Sequence, residues 1–312
     1  MWGNGVMFPA LVGAARHDPA VYLPVMNRFF GALSAYWDTR FSPAGYEPWP
    51  PSGGIDDRYY DDNAWMVLSF TEAYQLTGDR RYFERARGCL DFVLSGWDDV
   101  LGGGIWWHAR HKGDCKNVCV NAPAAVGCLR IASYLPRQSA RGLVARAEKI
   151  VAWTDRHFRD DDGLYFDSVV VGSGKINRAK LTYNTALMIR ALLGLYRATG
   201  NQNYLSEARR SALSADWFLD RHTNAYRDPV KWAHLMVEAD LEMFRATGDR
   251  RFFLRATSNA DYEFESWTHE PPVEMIDNAA IARTLWLMAD VYTPEGRRFW
   301  YAMDERLSDL GK

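Results

Sequence analysis

The sequence predicts an all-α protein: a closed ring of helical hairpins with a pocket on one face. Two observations lead there. A hairpin signature recurs along the chain, and long loops fall at only one kind of helix junction. The signature is an aromatic residue, a Thr-Gly-Asp type turn, then a second aromatic. It reads Tyr74-Gln-Leu-Thr-Gly-Asp-Arg-Arg-Tyr82, Tyr196-Arg-Ala-Thr-Gly-Asn-Gln-Asn-Tyr204 and Phe244-Arg-Ala-Thr-Gly-Asp-Arg-Arg-Phe252, with a weaker copy at Tyr134 where Pro136 replaces the turn. The anchors lie 60, 62 and 48 residues apart. Such periods indicate a helical array. Gly78, Gly200 and Gly248 suit the left-handed residue that closes a helix, and Asp79, Asn201 and Asp249 suit the cap of the next. The unequal spacing and the absence of regular capping repeats favour a closed ring over an open solenoid.

Taken in order, residues 1–17 read as an irregular arm, and Asp18-Pro19 opens a first helix to about residue 38. Further helices are expected at 62–76, 80–96, 118–134, 139–158, 183–198, 202–220, 230–246, 250–267, 276–292 and 294–309, giving eleven. The intervening segments 39–60, 98–117 and 159–182 carry no strand pattern and read as loops. Loops of this length inside a compact domain are usually functional. In a closed ring all three open on the same face. The chain is expected to be one domain, 1–312.

Composition is that of a globular protein, with 48% apolar and 24% charged residues. A net charge of −2 gives no reason to expect nucleic acid or an acidic membrane as partner. No apolar run is long enough to span a bilayer, and no signal peptide is visible. The expectation is a cytoplasmic monomer, or a secreted or periplasmic one if the N-terminus has been trimmed. The 13 Trp, 16 Tyr and 15 Phe fill a wide core or stack on sugar rings. Cys89, Cys115, Cys119 and Cys128 form no disulfide framework or zinc spacing and read as free thiols, with Cys115 and Cys119 on one face if their segment is helical. His108 and His111 lie three apart without a further ligand, so no metal site is expected, and nothing requires an organic cofactor.

The three loops deliver polar and aromatic residues to helix starts. The first brings Asp56, Asp57, Tyr60, Asp61, Asp62 and Trp65. If Asp61 and Asp62 open a helix, their side chains diverge by about 100° from Cα atoms about 3.8 Å apart, which places the carboxyls roughly 5–6 Å apart. A retaining glycosidase needs about 5–5.5 Å. One member of so close a pair is expected to hold its proton while a helix N-terminus favours ionisation of the other. The same residues also suit a plain N-cap. The second loop brings Leu101-Gly-Gly-Gly-Ile-Trp-Trp107-His108, then Asn117 and Asn121, which share a helix face. Those amides suit sugar hydroxyls and helix capping equally. The glycines let backbone approach a ligand or a neighbour, and their spacing is not that of a phosphate cradle. The third loop brings Asp160-Asp-Asp-Gly163, a solvated turn, then Asp167 after an apolar-aromatic run, and Tyr183-Asn184.

In this order, Asp61-Asp62-Asn63-Ala64-Trp65, Gly102-Gly-Gly-Ile-Trp-Trp107, Lys116-Asn117 with Asn121-Ala-Pro, Leu164-Tyr-Phe-Asp167 and Thr182-Tyr-Asn184 resemble glycoside hydrolase family 76, over about residues 55–260. The resemblance implies an (α/α)6 barrel that hydrolyses α-1,6-linked mannans with retention. It implies Asp61 as nucleophile and Asp62 as acid/base, with Asp167, Tyr183 and Asn184 in the central subsite. Tyr60, Trp65, Trp107, Asn117 and Asn121 complete the expected substrate-binding set. Trp65-Met66 departs from a second aromatic common in the family, which leaves outer subsites and endo or exo action open. Rival classes are sugar 2-epimerases, whose acid and base would come from His108, His234 and His269, unsaturated uronyl hydrolases, a non-catalytic glycan-binding toroid and a bare scaffold.

Overall fold

The computed structural model describes residues 1–51, 57–110 and 114–311. Among them twelve α-helices alternate between an inner and an outer ring. The inner helices are α1 (Trp2–His17), α3 (Tyr60–Thr77), α5 (Val118–Ala132), α7 (Thr182–Thr199), α9 (Val230–Thr247) and α11 (Met275–Tyr292). The outer helices are α2 (Pro19–Leu33), α4 (Arg80–Ser95), α6 (Arg137–Phe158), α8 (Gln202–Ser214), α10 (Arg250–His269) and α12 (Pro294–Ser308). Packing runs from α1 to α3, α5, α7, α9 and α11, and α11 returns to α1, which closes an (α/α)6 barrel. The inner helices are buried on nearly every side, and all fifteen residues of α5 are buried. Most outer helices bury one stripe, as Tyr82, Phe83, Ala86, Cys89, Leu90 and Val93 do in α4.

The hairpin signature folds as its residues dictate. Gly78, Gly200 and Gly248 sit at φ of 70°, 72° and 70°, and each N–H returns to the aromatic anchor's carbonyl at 2.8 Å. The threonines before them accept the N–H of the next cap at 3.1–3.2 Å. Asp79, Asn201 and Asp249 then cap α4, α8 and α10. Tyr74 packs on Phe83 and Phe244 on Phe253, with ring centroids 4.9 and 5.3 Å apart. These turns lie on the face opposite the long loops.

The expected irregular arm at 1–17 is instead α1, an inner helix. Gly3, Gly5, Gly13 and Pro9 give it low intrinsic propensity, and packing overrides this. A Cβ at Gly13 would stand 2.7 Å from Trp286 Cβ, and one at Gly5 would stand 3.0 Å from Trp65 Cβ. The glycines therefore let α1 slot between α11 and α3. The long loops also carry strands that the sequence did not signal. Short β1 (Trp37–Asp38) pairs with β2 (Gly45–Tyr46), and β3 (Cys115–Asn117), β4 (Phe166–Val170) and β5 (Lys175–Lys180) form an antiparallel sheet with Asn117 opposite Ser168. Cys115 is thus in a strand and Cys119 in a helix, so the two do not share a helix face.

A second unanticipated feature is a buried ionic lattice along the barrel axis. Every inner helix contributes: Arg16, Glu72, Arg130, Arg190, Glu238 with Glu242, and Arg283 with Asp290. Arg283 spans both oxygens of Glu72 at 2.7 and 2.9 Å and reaches Glu238 at 2.9 Å. Arg190 joins Glu238 at 2.8 Å and Glu242 at 3.0 Å, and Arg16 joins Glu72 at 3.0 Å as well as Asp290.

Candidate active site at the mouth of the ring

The inner helices start on the loop face, and α3 brings the paired aspartates there. Its N-cap is Tyr59, with no side-chain cap, so neither Asp61 nor Asp62 is the cap residue. The two carboxyls have different surroundings. Asp61 Oδ2 accepts the Trp107 indole N–H at 2.9 Å and the Cys119 thiol at 3.6 Å, while Oδ1 accepts the Asp62 N–H at 2.9 Å. Burial outweighs these three donors, so its pKa too stands above the ordinary carboxylate value, though the donors hold the rise in check. Asp62 is buried and has no side-chain donor. Burial and the Asp61 charge push its pKa up to about 7, against weaker pulls from the Met1 amino group, 4.0 Å away, and the Trp2 N–H. The pair therefore holds one proton, on Asp62, at mildly acidic pH.

The Gly-rich loop places Trp107 beside Asp61 through strand-like pairing. Tyr60 N–H donates to Trp107 O at 3.0 Å, Ala109 N–H to Arg58 O at 2.9 Å, and Tyr59 bridges His108. His108 Nδ1 lies 2.5 Å from Asp57, and its ring stacks on Tyr59. Gly103 and Gly104 make room for neighbours: at Gly103 (φ 139°) a Cβ would meet Trp97 at 2.5 Å, and at Gly104 (φ 89°) it would meet Trp153 at 2.4 Å. Buried Lys116 fastens the same loop through Asp98, Val100 O and Gly103 O at 2.6–2.8 Å.

The third wall joins β4 and α7. Asp167 Oδ1 accepts from Asn184 at 3.1 Å and from the Tyr183 hydroxyl at 3.5 Å, and Oδ2 accepts from Ser168 at 3.0 Å and Asn177 at 3.1 Å. Burial, then the neighbouring Cys119, Asp167 and Asp61, push the Tyr183 phenol up, so it remains a donor. Asp61, Trp107, Cys119, Asp167, Tyr183 and Asn184 thus converge. Among the described residues, the carbonyl oxygens of the Asn117 and Asn184 side chains are buried without a protein partner.

Two expected substrate contacts, Tyr60 and Asn121, are framework instead, and Trp65 lies deeper in the ring. Tyr60 turns away from Asp61 and stacks on Phe92 at 4.7 Å, between α3 and α4. Asn121 spends its whole amide on backbone, at Ile105 N, Ile105 O and Asn117 O. Trp65, one turn below Asp61, packs on Gly5 and lines an internal void of about 20 Å³. Asp56 and His111 lie outside the described residues. The epimerase histidines have separate settings: His234 is buried with its pKa pushed down to about 4, chiefly by desolvation, and His269 is on the surface. Cys119 is the site residue the sequence reading missed. Its only signal was its place two residues before the Asn121-Ala-Pro segment.

The profile of glycosyl hydrolase family 76 matches residues 1–269. The chain belongs to this family. Its fold superposes on the family 76 α-mannanase of Bacteroides thetaiotaomicron with a TM-score of 0.85 at 24% identity, covering 96% of this chain and 87% of that one. It superposes on the family 76 α-1,6-mannanase of Salegentibacter sp. HEL1_6 with a TM-score of 0.75 at 23% identity, over 91% and 88%. An inactive form of the latter, with two adjacent aspartates replaced, was solved with α-1,6-mannotetrose. The meiotically up-regulated gene 191 protein of Schizosaccharomyces pombe is 29% identical over 237 residues, 69% of this chain. The chain spans about half, 53%, of that relative's length.

Proposed function

We propose that this family 76 member is a retaining glycosidase acting on α-1,6-linked mannan or mannooligosaccharides. The observation that carries the reading is the asymmetry of the aspartate pair. Asp61, with three donors and a place in the first turn of α3, is the ionised nucleophile. Asp62, desolvated beside that charge, is the acid. In the first displacement Asp61 attacks the anomeric carbon. A bond forms to its carboxylate, the glycosidic bond breaks, and Asp62 passes its proton to the leaving oxygen. In the second, ionised Asp62 takes a proton from water as that water displaces Asp61. Asn117 and Asn184 accept sugar hydroxyls, and Tyr183 donates. The complex of the Salegentibacter enzyme with α-1,6-mannotetrose supports the choice of substrate.

A proton NMR time course with α-1,6-mannooligosaccharides tests this. Wild type is expected to release α-configured reducing ends first, and Asp61→Asn and Asp62→Asn each to lose at least about 1000-fold in turnover while staying folded. β-Configured first products, or substantial turnover in either variant, would overturn the mechanism. Binding without hydrolysis by wild type would make the protein a glycan-binding member instead.

A further inference from the structure

We propose that the groove around Trp217, outside the catalytic centre, is a second binding site for a stretch of the same polysaccharide. The choice of glycan rests on the proposed function; the site itself rests on the geometry below. The groove lies on the loop face, between the end of α8 and the start of α9, and encloses about 620 Å³. That volume suits a short sugar segment.

Its aromatic element is pre-set. Trp217 is 52% exposed, yet its ring is held from behind by the Phe218 edge at 5.1 Å, and the Arg227 guanidinium lies 4.8 Å from its centroid. Arg227 is itself tied to the carbonyls of Trp217 and Phe218. A half-exposed indole fixed in this way offers a flat apolar surface at small ordering cost, which suits the C–H face of a pyranose.

The polar element is equally fixed. Residues 220–224 form a tight turn in which Asp220 Oδ1 accepts the N–H groups of His222 at 2.7 Å and Thr223 at 3.1 Å, and Asn224 takes φ 56°. Its second strand is anchored inward: Tyr226 N–H donates to Asn259 at 2.9 Å, and the Tyr226 hydroxyl donates to Asp240. The turn therefore presents His222 and Asn224 rigidly toward the groove. Among the described residues, neither side chain makes a hydrogen bond to another protein group. Mixed donors and acceptors beside an indole match a neutral polyol better than an anion or an apolar peptide.

The loop that carries the groove also packs against the Tyr183 wall of the candidate active site. Asp228, at the foot of the same loop, accepts both the N–H and the hydroxyl of Thr182 at 2.7 and 2.8 Å. Thr182 immediately precedes Tyr183 and Asn184. Trp232, one turn into α9, lies 5.7 Å from the Tyr183 ring. A chain seated at Trp217 is thus held on the mouth of the ring, on the flank carrying Tyr183.

The test compares Trp217→Ala and the milder pair His222→Ala and Asn224→Ala with wild type, each first shown to melt normally. Retention in affinity gels containing α-1,6-mannan, and titration of α-1,6-mannohexaose into an Asp61→Asn background, read binding directly. Hydrolysis of long mannan against mannotriose reads function. Trp217→Ala is expected to weaken mannan retention five- to tenfold and to lower kcat/KM on mannan several-fold, leaving mannotriose turnover unchanged. The turn variants are expected to give part of that loss. Trp217-dependent retention by a protein that hydrolyses no mannan would leave this proposal standing while the hydrolase reading fails. Retention that ignores Trp217, absence of retention by wild type, or equal losses on long and short substrates would overturn it.

Discussion

Replacing Asp62 by Asn is expected to make the protein more stable at alkaline pH and to change little in acid. The side chain is buried, and its folded-state pKa of about 7 stands above the ordinary 3.8. A carboxyl whose pKa is raised on folding binds its proton more tightly in the native state. Its contribution is fully present below the unfolded value and is lost as pH climbs through the folded one. At about 1.4 kcal/mol per pKa unit, a rise of about three units costs about 4 kcal/mol once both states are ionised, and roughly 3 kcal/mol of this falls between about pH 5 and pH 8.5. Asn keeps the shape and cannot titrate. Urea melts of wild type and Asp62→Asn at those two pH values give the two stabilities. The variant's advantage should grow by about 2–3 kcal/mol from acid to base. An advantage that is flat with pH, or that shrinks as pH rises, would refute the assignment of the shared proton to Asp62. On the proposed mechanism the same proton is expected to set an alkaline fall of kcat/KM near pH 7, because ionised Asp62 would have nothing to give the leaving oxygen.

Trp107→Phe removes the indole donor from Asp61 and keeps an aromatic ring. A hydrogen bond to a charged group is worth about 1.5–3 kcal/mol when buried; halved for a half-exposed donor, its loss should raise the acidic limb of kcat/KM by about half to one pH unit, and an unmoved limb would count against Asp61 as the ionised partner. Gly104→Ala puts a Cβ 2.4 Å from Trp153 at φ 89° and is expected to cost more than about 2 kcal/mol in a urea melt. Gly102→Ala, with φ 71° and nothing within 4 Å, is expected to cost about 1 kcal/mol, and similar losses for both would show that the Trp153 contact does not matter.

The sequence was informative where local chemistry decides the structure. The Thr-Gly-Asp turns need a left-handed residue followed by a cap, and only a few residue types supply each. They located the hairpins and the face on which the loops open. It was uninformative where only ring closure decides. Helix α1 has the composition of an irregular arm because its glycines make room for Trp65 and Trp286, which lie 60 and 273 residues beyond Gly5 and Gly13. Strand β5, Lys175–Lys180, reads as a loop because most of its residues face solvent, so no alternation betrays it. At the site, neighbours in sequence took opposite roles. Tyr60 and Asp61 diverge by about 100° on a helix, which sends one into the α3–α4 seam and the other into the mouth. Asn63, Asn121 and Asn278 show why amides near helix starts mislead: each is the fourth residue of an inner helix and donates back to the N-cap carbonyl at 2.8–3.0 Å. That device recurs around the ring, and it is structural.

The ionic lattice explains how such a mouth keeps its geometry. Arg16, Glu72, Arg130 and Arg190 each look like a stray charge within an apolar helix, and buried pairs of this kind seldom add net stability over apolar packing. Their connectivity suggests another role. Arg283 of α11 reaches Glu72 of α3 and Glu238 of α9, and Arg190 of α7 reaches Glu238 and Glu242 of α9. The α3–α11 link skips α1, which lies between those helices in the ring, so the lattice braces across the axis as well as between neighbours. Glu72 and Glu238 are each shared by two guanidiniums, and displacing an inner helix would strand a buried charge at a cost of about 3–5 kcal/mol. Asp61 rides on α3 and the Tyr183–Asn184 pair on α7. Glu72 on α3 and Arg190 on α7 are joined through Arg283 and Glu238, so these two walls of the candidate site are held at a fixed separation from below.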